Sequence, residues 1–100
     1  MNRVIGSDVF AELYEQLDNT EKEWIDKIKI QLESNLRVGK PLVFDWFREK
    51  KFGYKRLFYL INERLNKAIL LSFNTKKEQQ KIIDHVIKNK EEYLKILNRY

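Results

Sequence analysis

Apolar residues first recur at helical spacing along the chain, then alternate as in strands, then return to helical spacing. Met1–Gly6 reads as a short opening strand around Val4 and Ile5. Ser7 is an N-cap candidate for a helix with Val9, Phe10, Leu13, Tyr14 and Leu17 on one stripe. Thr20-Glu21-Lys22-Glu23 has capping-box spacing, in which hydroxyl and carboxylate each satisfy a backbone amide of the other residue. The helix it opens carries Trp24, Ile25, Ile28, Leu32 and Leu36 on its apolar side. Gly39, which permits a left-handed turn, and Pro41, which lacks an amide donor, are expected to end it.

The period then shortens to two. Leu42–Arg48, rich in Val, Phe and Trp, is expected as a strand, interrupted at Phe52-Gly53. Tyr54–Ile61 is a clearer strand, with Leu57, Tyr59 and Ile61 on one face and Arg56, Phe58 and Leu60 on the other. Apolar residues on both faces predict a central strand. A polar turn at Asn62–Asn66 leads to Lys67–Phe73, with Ile69, Leu71 and Phe73 on one face. These two strands should pair antiparallel, with Leu57, Ile69 and Leu71 facing the first two helices. Thr75-Lys76-Lys77-Glu78 is a second capping box, opening a helix that buries Ile82, Ile83, Val86 and Ile87, then Tyr93, Leu94 and Leu97. No repeat or linker interrupts the chain, so residues 1–100 read as one α+β domain: two N-terminal helices on a small antiparallel sheet, with a C-terminal helix.

A content of 43% apolar and 13% aromatic residues excludes a disordered chain. The longest aliphatic and aromatic run, Leu57–Ile61, is far short of the roughly 20 residues of a membrane helix. The first residues lack the basic-then-apolar order of a signal peptide. The absence of cysteine removes disulfides, thiol chemistry and cysteine zinc sites. A small soluble protein of the cytoplasm is the expectation. Its net charge of +5 is unevenly spread: residues 1–39 hold five basic and eight acidic residues, residues 40–100 fifteen and seven. A basic C-terminal part predicts a surface for a polyanion, most simply nucleic acid; a merely solvated lysine-rich surface is the alternative.

The densest basic segment, Arg48-Glu49-Lys50-Lys51-Phe52-Gly53-Tyr54-Lys55-Arg56, sets five cations against one anion. Cations there would neutralise phosphates, and Phe52 and Tyr54 would offer stacking faces to unpaired bases. Arg48 and Arg56 lie within strands, where arginine is a poor choice unless it has a partner or a site to serve. Lys76 and Lys77 fall in the first turn of the last helix, where free amides and the macrodipole already favour an anion. Glu49 and Asp45 are the carboxylates near enough in sequence to take a proton from a ribose hydroxyl. The single histidine, His85, points away from the apolar stripe of its helix. No Walker loop, dinucleotide fingerprint or paired histidines occur, so neither a metal nor a nucleotide cofactor is expected. Trp24, Tyr14 and Phe10 are assigned to the core.

Gly39-Lys40-Pro41-Leu42, Arg48-Glu49-Lys50-Lys51 and Gly53-Tyr54-Lys55-Arg56-Leu57-Phe58-Tyr59-Leu60-Ile61, in that order, resemble toxins of the RelE/HigB/ParE superfamily. So does Ala68–Gln80, followed by a helix. The resemblance spans nearly the whole chain and rests on element order and scattered basic residues rather than on one motif. It implies a twisted antiparallel sheet carrying the site, with helices packed on it. It also implies a type II toxin–antitoxin toxin with a protein antitoxin as partner and no membrane association. Members that cut messenger RNA do so on the ribosome without a metal, activating the ribose 2′-hydroxyl and inhibiting translation.

By that resemblance Arg56 matches the arginine that holds the scissile phosphate, and Lys77 or Lys76 the basic residue after the last strand. Lys77 would stabilise transition-state charge with Arg56, and Glu49 is the candidate base. Arg48, Lys50, Lys51, Lys55 and Lys76 would bind neighbouring phosphates. Several RNases of the superfamily place a tyrosine or histidine shortly after the last basic position; here that stretch reads Gln79-Gln80-Lys81-Ile82-Ile83. Tyr93 and Tyr100 could substitute only if the C-terminal segment folds back. An endoribonuclease is one reading. The other is a non-enzymatic interaction protein, either a gyrase-poisoning relative or a cleavage-dead member that binds nucleic acid or an antitoxin.

Overall fold

The computed structural model describes residues 1–99. The chain runs β1 (Arg3–Gly6), α1 (Asp8–Glu15), α2 (Asn19–Ser34), β2 (Lys40–Pro41), β3 (Phe47–Phe52), β4 (Lys55–Asn62), β5 (Lys67–Thr75), α3 (Lys76–Lys88) and α4 (Lys90–Arg99). One sheet has the order β1-β5-β4-β3-β2, so β4 is central, as its two apolar faces predict. Its neighbours pair antiparallel, whereas β1 joins β5 in parallel and makes the sheet mixed. Two cores result. Phe10, Ile25, Ile28 and Leu32 of α1 and α2 pack on Leu57, Tyr59 and Ile61. On the opposite face, Val86 of α3 and Leu97 of α4 pack on Phe47, Phe58, Leu60 and Ile69. Among the described residues, no helix is long and apolar enough to cross a membrane.

Local signals account for most boundaries. Ser7 caps α1, its hydroxyl accepting the Phe10 amide at 3.1 Å. The box opening α2 lies upstream of Thr20: Asp18 accepts the Glu21 amide at 2.8 Å, and Glu21 accepts the Asp18 amide at 3.3 Å. Aspartate caps as well as threonine does, so the sequence holds two overlapping frames. Thr75 stands at the N-cap of α3, but its side chain makes no capping bond. The last helical region is two helices, divided at Asn89, whose backbone and side-chain N–H groups both donate to the His85 carbonyl. Val9 is 71% exposed because it lies one residue off the Phe10/Leu13/Tyr14 stripe, and Ile87 is likewise exposed.

Two expectations about strands are overturned. First, α2 stops at Ser34, and residues 42–46 form a loop rather than a strand. Their aromatic content serves packing: the Phe44 and Trp46 rings stack 4.8 Å apart, with the Lys90 ammonium 4.9 Å from the Phe44 ring centre. Second, a bulge shifts the β4–β5 register. Phe58 pairs with Ser72 and Tyr59 with Leu70, so Leu71 is left without a direct partner. Phe73 therefore joins Leu57 in the α1/α2 core, while Ile69 and Leu71 pack on the α3/α4 side. Ala68 and Leu70, not Ile69 and Leu71, face the first two helices.

Candidate nucleic-acid interface

Strand parity sorts the basic segment into two faces. Lys51 pairs with Arg56 and Glu49 with Phe58, so Glu49, Lys51 and Arg56 share the side covered by α3. Arg48 pairs with Tyr59 and Lys50 with Leu57, on the α2 side.

Glu49 is the centre of the first group and is 2% exposed. Its Oε2 lies 3.4 Å from Arg56 Nε and accepts a hydrogen bond from Gln79 Nε2 at 2.7 Å. Its Oε1 lies 3.9 Å from the Lys40 ammonium. A buried carboxylate needs such company, because desolvation without partners costs several kcal/mol. Arg56 is 7% exposed, and its Nε makes no hydrogen bond; the contact with Glu49 is an ion pair. The two terminal nitrogens of Arg56 reach solvent and make no hydrogen bond to the described residues. The guanidinium is thus held by one edge and open at the other, a geometry that suits a tetrahedral oxyanion.

The remaining cations divide. Lys51 is exposed beside Arg56. Lys76 and Lys77 are exposed in the first turn of α3, immediately beyond Asn74, the cross-strand partner of Arg56. Lys50 is half-buried and, with Gly39, Lys40, Glu49 and Lys51, lines an open depression of about 430 Å³. Lys55 turns to the α2 side, where it pairs with Glu21 and lies over the Phe73 ring. The hydrogen bond from Lys55 to Glu21 holds the lysine pKa above its ordinary value.

Arg48 lies on the α2 side of β3, on the face opposite Lys51 and Arg56, so the expected continuous four-residue surface lacks it. It is 5% exposed, and its guanidinium donates to the backbone carbonyls of Val38 (3.4 Å), Asp45 (3.1 Å), Arg37 (3.0 Å) and Gly39 (3.1 Å). Phe52 is likewise occupied, stacked 4.8 Å from Trp24, whereas Tyr54 is 74% exposed. Asp45 reaches this region only through its carbonyl on Arg48. His85 is exposed, as its helical position predicts, and meets the Tyr93 ring edge-on at 5.9 Å. Tyr93 lines a separate groove with Ser7, Val9, Leu71 and His85, where burial raises its pKa. Tyr100 lies outside the described residues.

Two residues enter the cluster that charge reasoning did not single out. Gln79 is three and four positions before Ile82 and Ile83, so the stripe that seats α3 also turns Gln79 toward the sheet. Lys40 arrives through β2, where it pairs with Glu49. The assembled group can bind an anion through Arg56 and Lys51, and it holds one carboxylate, that of Glu49.

No protein-family model matches the chain, and no curated protein sequence matches it. Solved structures do. A double mutant of E. coli toxin RelE in the free state aligns with a TM-score of 0.72 at 14% identity, covering 88% of this chain and 96% of that one. The intact E. coli RelBE toxin–antitoxin complex gives 0.67 at 14% identity, with 75% and 96% covered. The toxin–antitoxin complex RelBE2 from Mycobacterium tuberculosis gives 0.62 at 20% identity, with 75% and 98% covered. The protein has the RelE-like fold.

Proposed function

We propose that this protein acts as the toxin of a toxin–antitoxin pair, binding RNA through Arg56, Lys51 and the Lys76/Lys77 helix start and cutting messenger RNA on the ribosome. The observation that carries this reading is Arg56: fixed against buried Glu49, its terminal nitrogens are left without a protein partner. An arginine preorganised in this way stabilises charge on a phosphate without reorganising during the reaction. Lys77 adds positive potential from α3, and Tyr54 offers an exposed ring for a base. In the cleavage step, Glu49 takes the 2′-hydroxyl proton, the 2′-oxygen attacks phosphorus and the 5′-oxygen leaves, giving a cyclic phosphate. Gln79 orients the base through its hydrogen bond to Oε2. Water protonates the leaving oxygen. The likeness to RelE structures solved with an antitoxin supports a protein antitoxin as the partner, and translating ribosomes put the activity in the cytoplasm.

One observation favours a second reading, a cleavage-dead binder of RNA or antitoxin. Glu49 is almost wholly covered, and no tyrosine or histidine among the described residues makes a hydrogen bond to its carboxylate. Expression of the wild type without antitoxin separates the two. Growth arrest with new 5′ ends inside coding sequences, both lost in Arg56→Ala, supports the nuclease. Arrest without cleavage supports the binder, and the absence of both effects refutes the toxin reading.

A further inference from the structure

The buried guanidinium of Arg48 has no carboxylate within ion-pair distance among the described residues, and four backbone carbonyls take its donors instead. Three of these belong to consecutive residues, Arg37, Val38 and Gly39. The Tyr59 hydroxyl also donates to Val38. Gly39 has φ +82, and a side chain there would collide with the Tyr59 hydroxyl and the Glu49 carbonyl. A short segment is thus clamped from both ends of its path.

Immediately beyond the clamp lies β2, only two residues long. Two cross-strand pairs, Lys40 with Glu49 and Pro41 with Arg48, are too few to hold a strand by themselves. The clamp supplies what the pairing lacks. It presents Lys40, whose side chain remains 66% exposed, 3.9 Å from the carboxylate that also anchors Arg56. At that distance the ammonium is steered by Glu49 but keeps its hydrogen-bond donors free, at the mouth of the depression shared with Lys50 and Lys51.

We infer that Lys40 is a further phosphate ligand of this site, and that Arg48 is a positioning residue which fixes it through the 37–39 backbone. The inference rests on the RNA-binding reading above and assigns Lys40 the phosphate next to the one held by Arg56. Arg48 thereby acts on RNA without touching it. Lysine at position 48 keeps the charge but cannot span four carbonyls with one ammonium.

The test is binding of a short single-stranded RNA over a salt series, with circular dichroism to verify folding. Each lost phosphate contact lowers the slope of log affinity against log salt by about 0.7. Lys40→Ala is expected to lower it by about 0.7, and Arg48→Lys by the same amount despite its retained charge. The double variant should lose no more than either single one. A wild-type slope in Arg48→Lys, an unchanged slope in Lys40→Ala, or a loss of about 1.4 in the double variant overturns the inference. If Arg48→Lys does not fold, Tyr59→Phe removes one anchor of Val38 without touching charge. Its slope should fall toward that of Lys40→Ala, and an unchanged slope overturns the inference. Affinity lost in Arg56→Ala but not in Lys40→Ala refutes this inference alone. Wild-type affinity indifferent to salt refutes the RNA reading and this inference with it.

Discussion

Replacing Glu49 by glutamine keeps the shape of the side chain and removes the one negative charge of the cluster. The carboxylate is 2% exposed, faces Arg56 Nε at 3.4 Å and Lys40 at 3.9 Å, and accepts from Gln79 at 2.7 Å. Removing one partner of a fully buried ion pair costs about 3–5 kcal/mol. Here the terminal nitrogens of Arg56 reach solvent and Lys40 is mostly exposed, so screening reduces that figure to about 2 kcal/mol. At about 4–8 °C per kcal/mol for a domain of this size, the melting temperature should fall by about 8–16 °C. RNA affinity should move the other way, because a phosphate approaching Arg56 no longer meets the carboxylate beside it. Cleavage should disappear with the base. Thermal unfolding by circular dichroism, RNA titration and a cleavage assay on one preparation give all three readouts. A Glu49→Gln protein as stable as the wild type would refute the argument that this pair holds Arg56. A weakened RNA affinity would mean that the carboxylate contacts RNA directly.

Asp18→Ala should cost about 1 kcal/mol in thermal unfolding, while Thr20→Ala stays within about 0.5 kcal/mol; the reverse ranking would restore the cap to Thr20. Gly39→Ala should destabilise by about 2 kcal/mol or more in urea unfolding, since its positive φ and its two close neighbours both oppose a side chain. Lys55, through Glu21, and Tyr59, through burial, both hold their protons more tightly folded than unfolded. Their contribution is therefore complete below about pH 10 and is lost as pH rises beyond it. The melting temperature should decline from there, less steeply in Lys55→Met and Tyr59→Phe.

The central strand was legible because its chemistry is redundant. Every residue from Leu57 to Ile61 is apolar, and whichever register is chosen, both faces are buried. The β5 faces were not, since a bulge at Leu71 leaves no mark on an alternating pattern yet turns Phe73 to the other side. The 42–46 loop reads as a strand because Phe and Trp favour strands and packed loops alike; only the Phe44–Trp46 stack against Lys90 tells them apart. Charge singled out Arg56, Lys51 and Glu49, and strand pairing brings these three to one face of the sheet. It failed for Arg48, although parity alone separates positions 48 and 51, three residues apart in a strand. Gln79 escaped notice because a neutral amide adds nothing to a charge map, even though the α3 stripe pointed it inward.

The proposed function has Arg56 meet the scissile phosphate of a messenger on the ribosome. Its most direct test is a purified ribosome–messenger complex given wild-type protein or Arg56→Ala, with the fraction of messenger cut read on a sequencing gel. Wild-type protein should cut the ribosome-bound messenger, and Arg56→Ala should be slower by about 10²–10³. Equal cutting by both proteins, or none by the wild type, would contradict it.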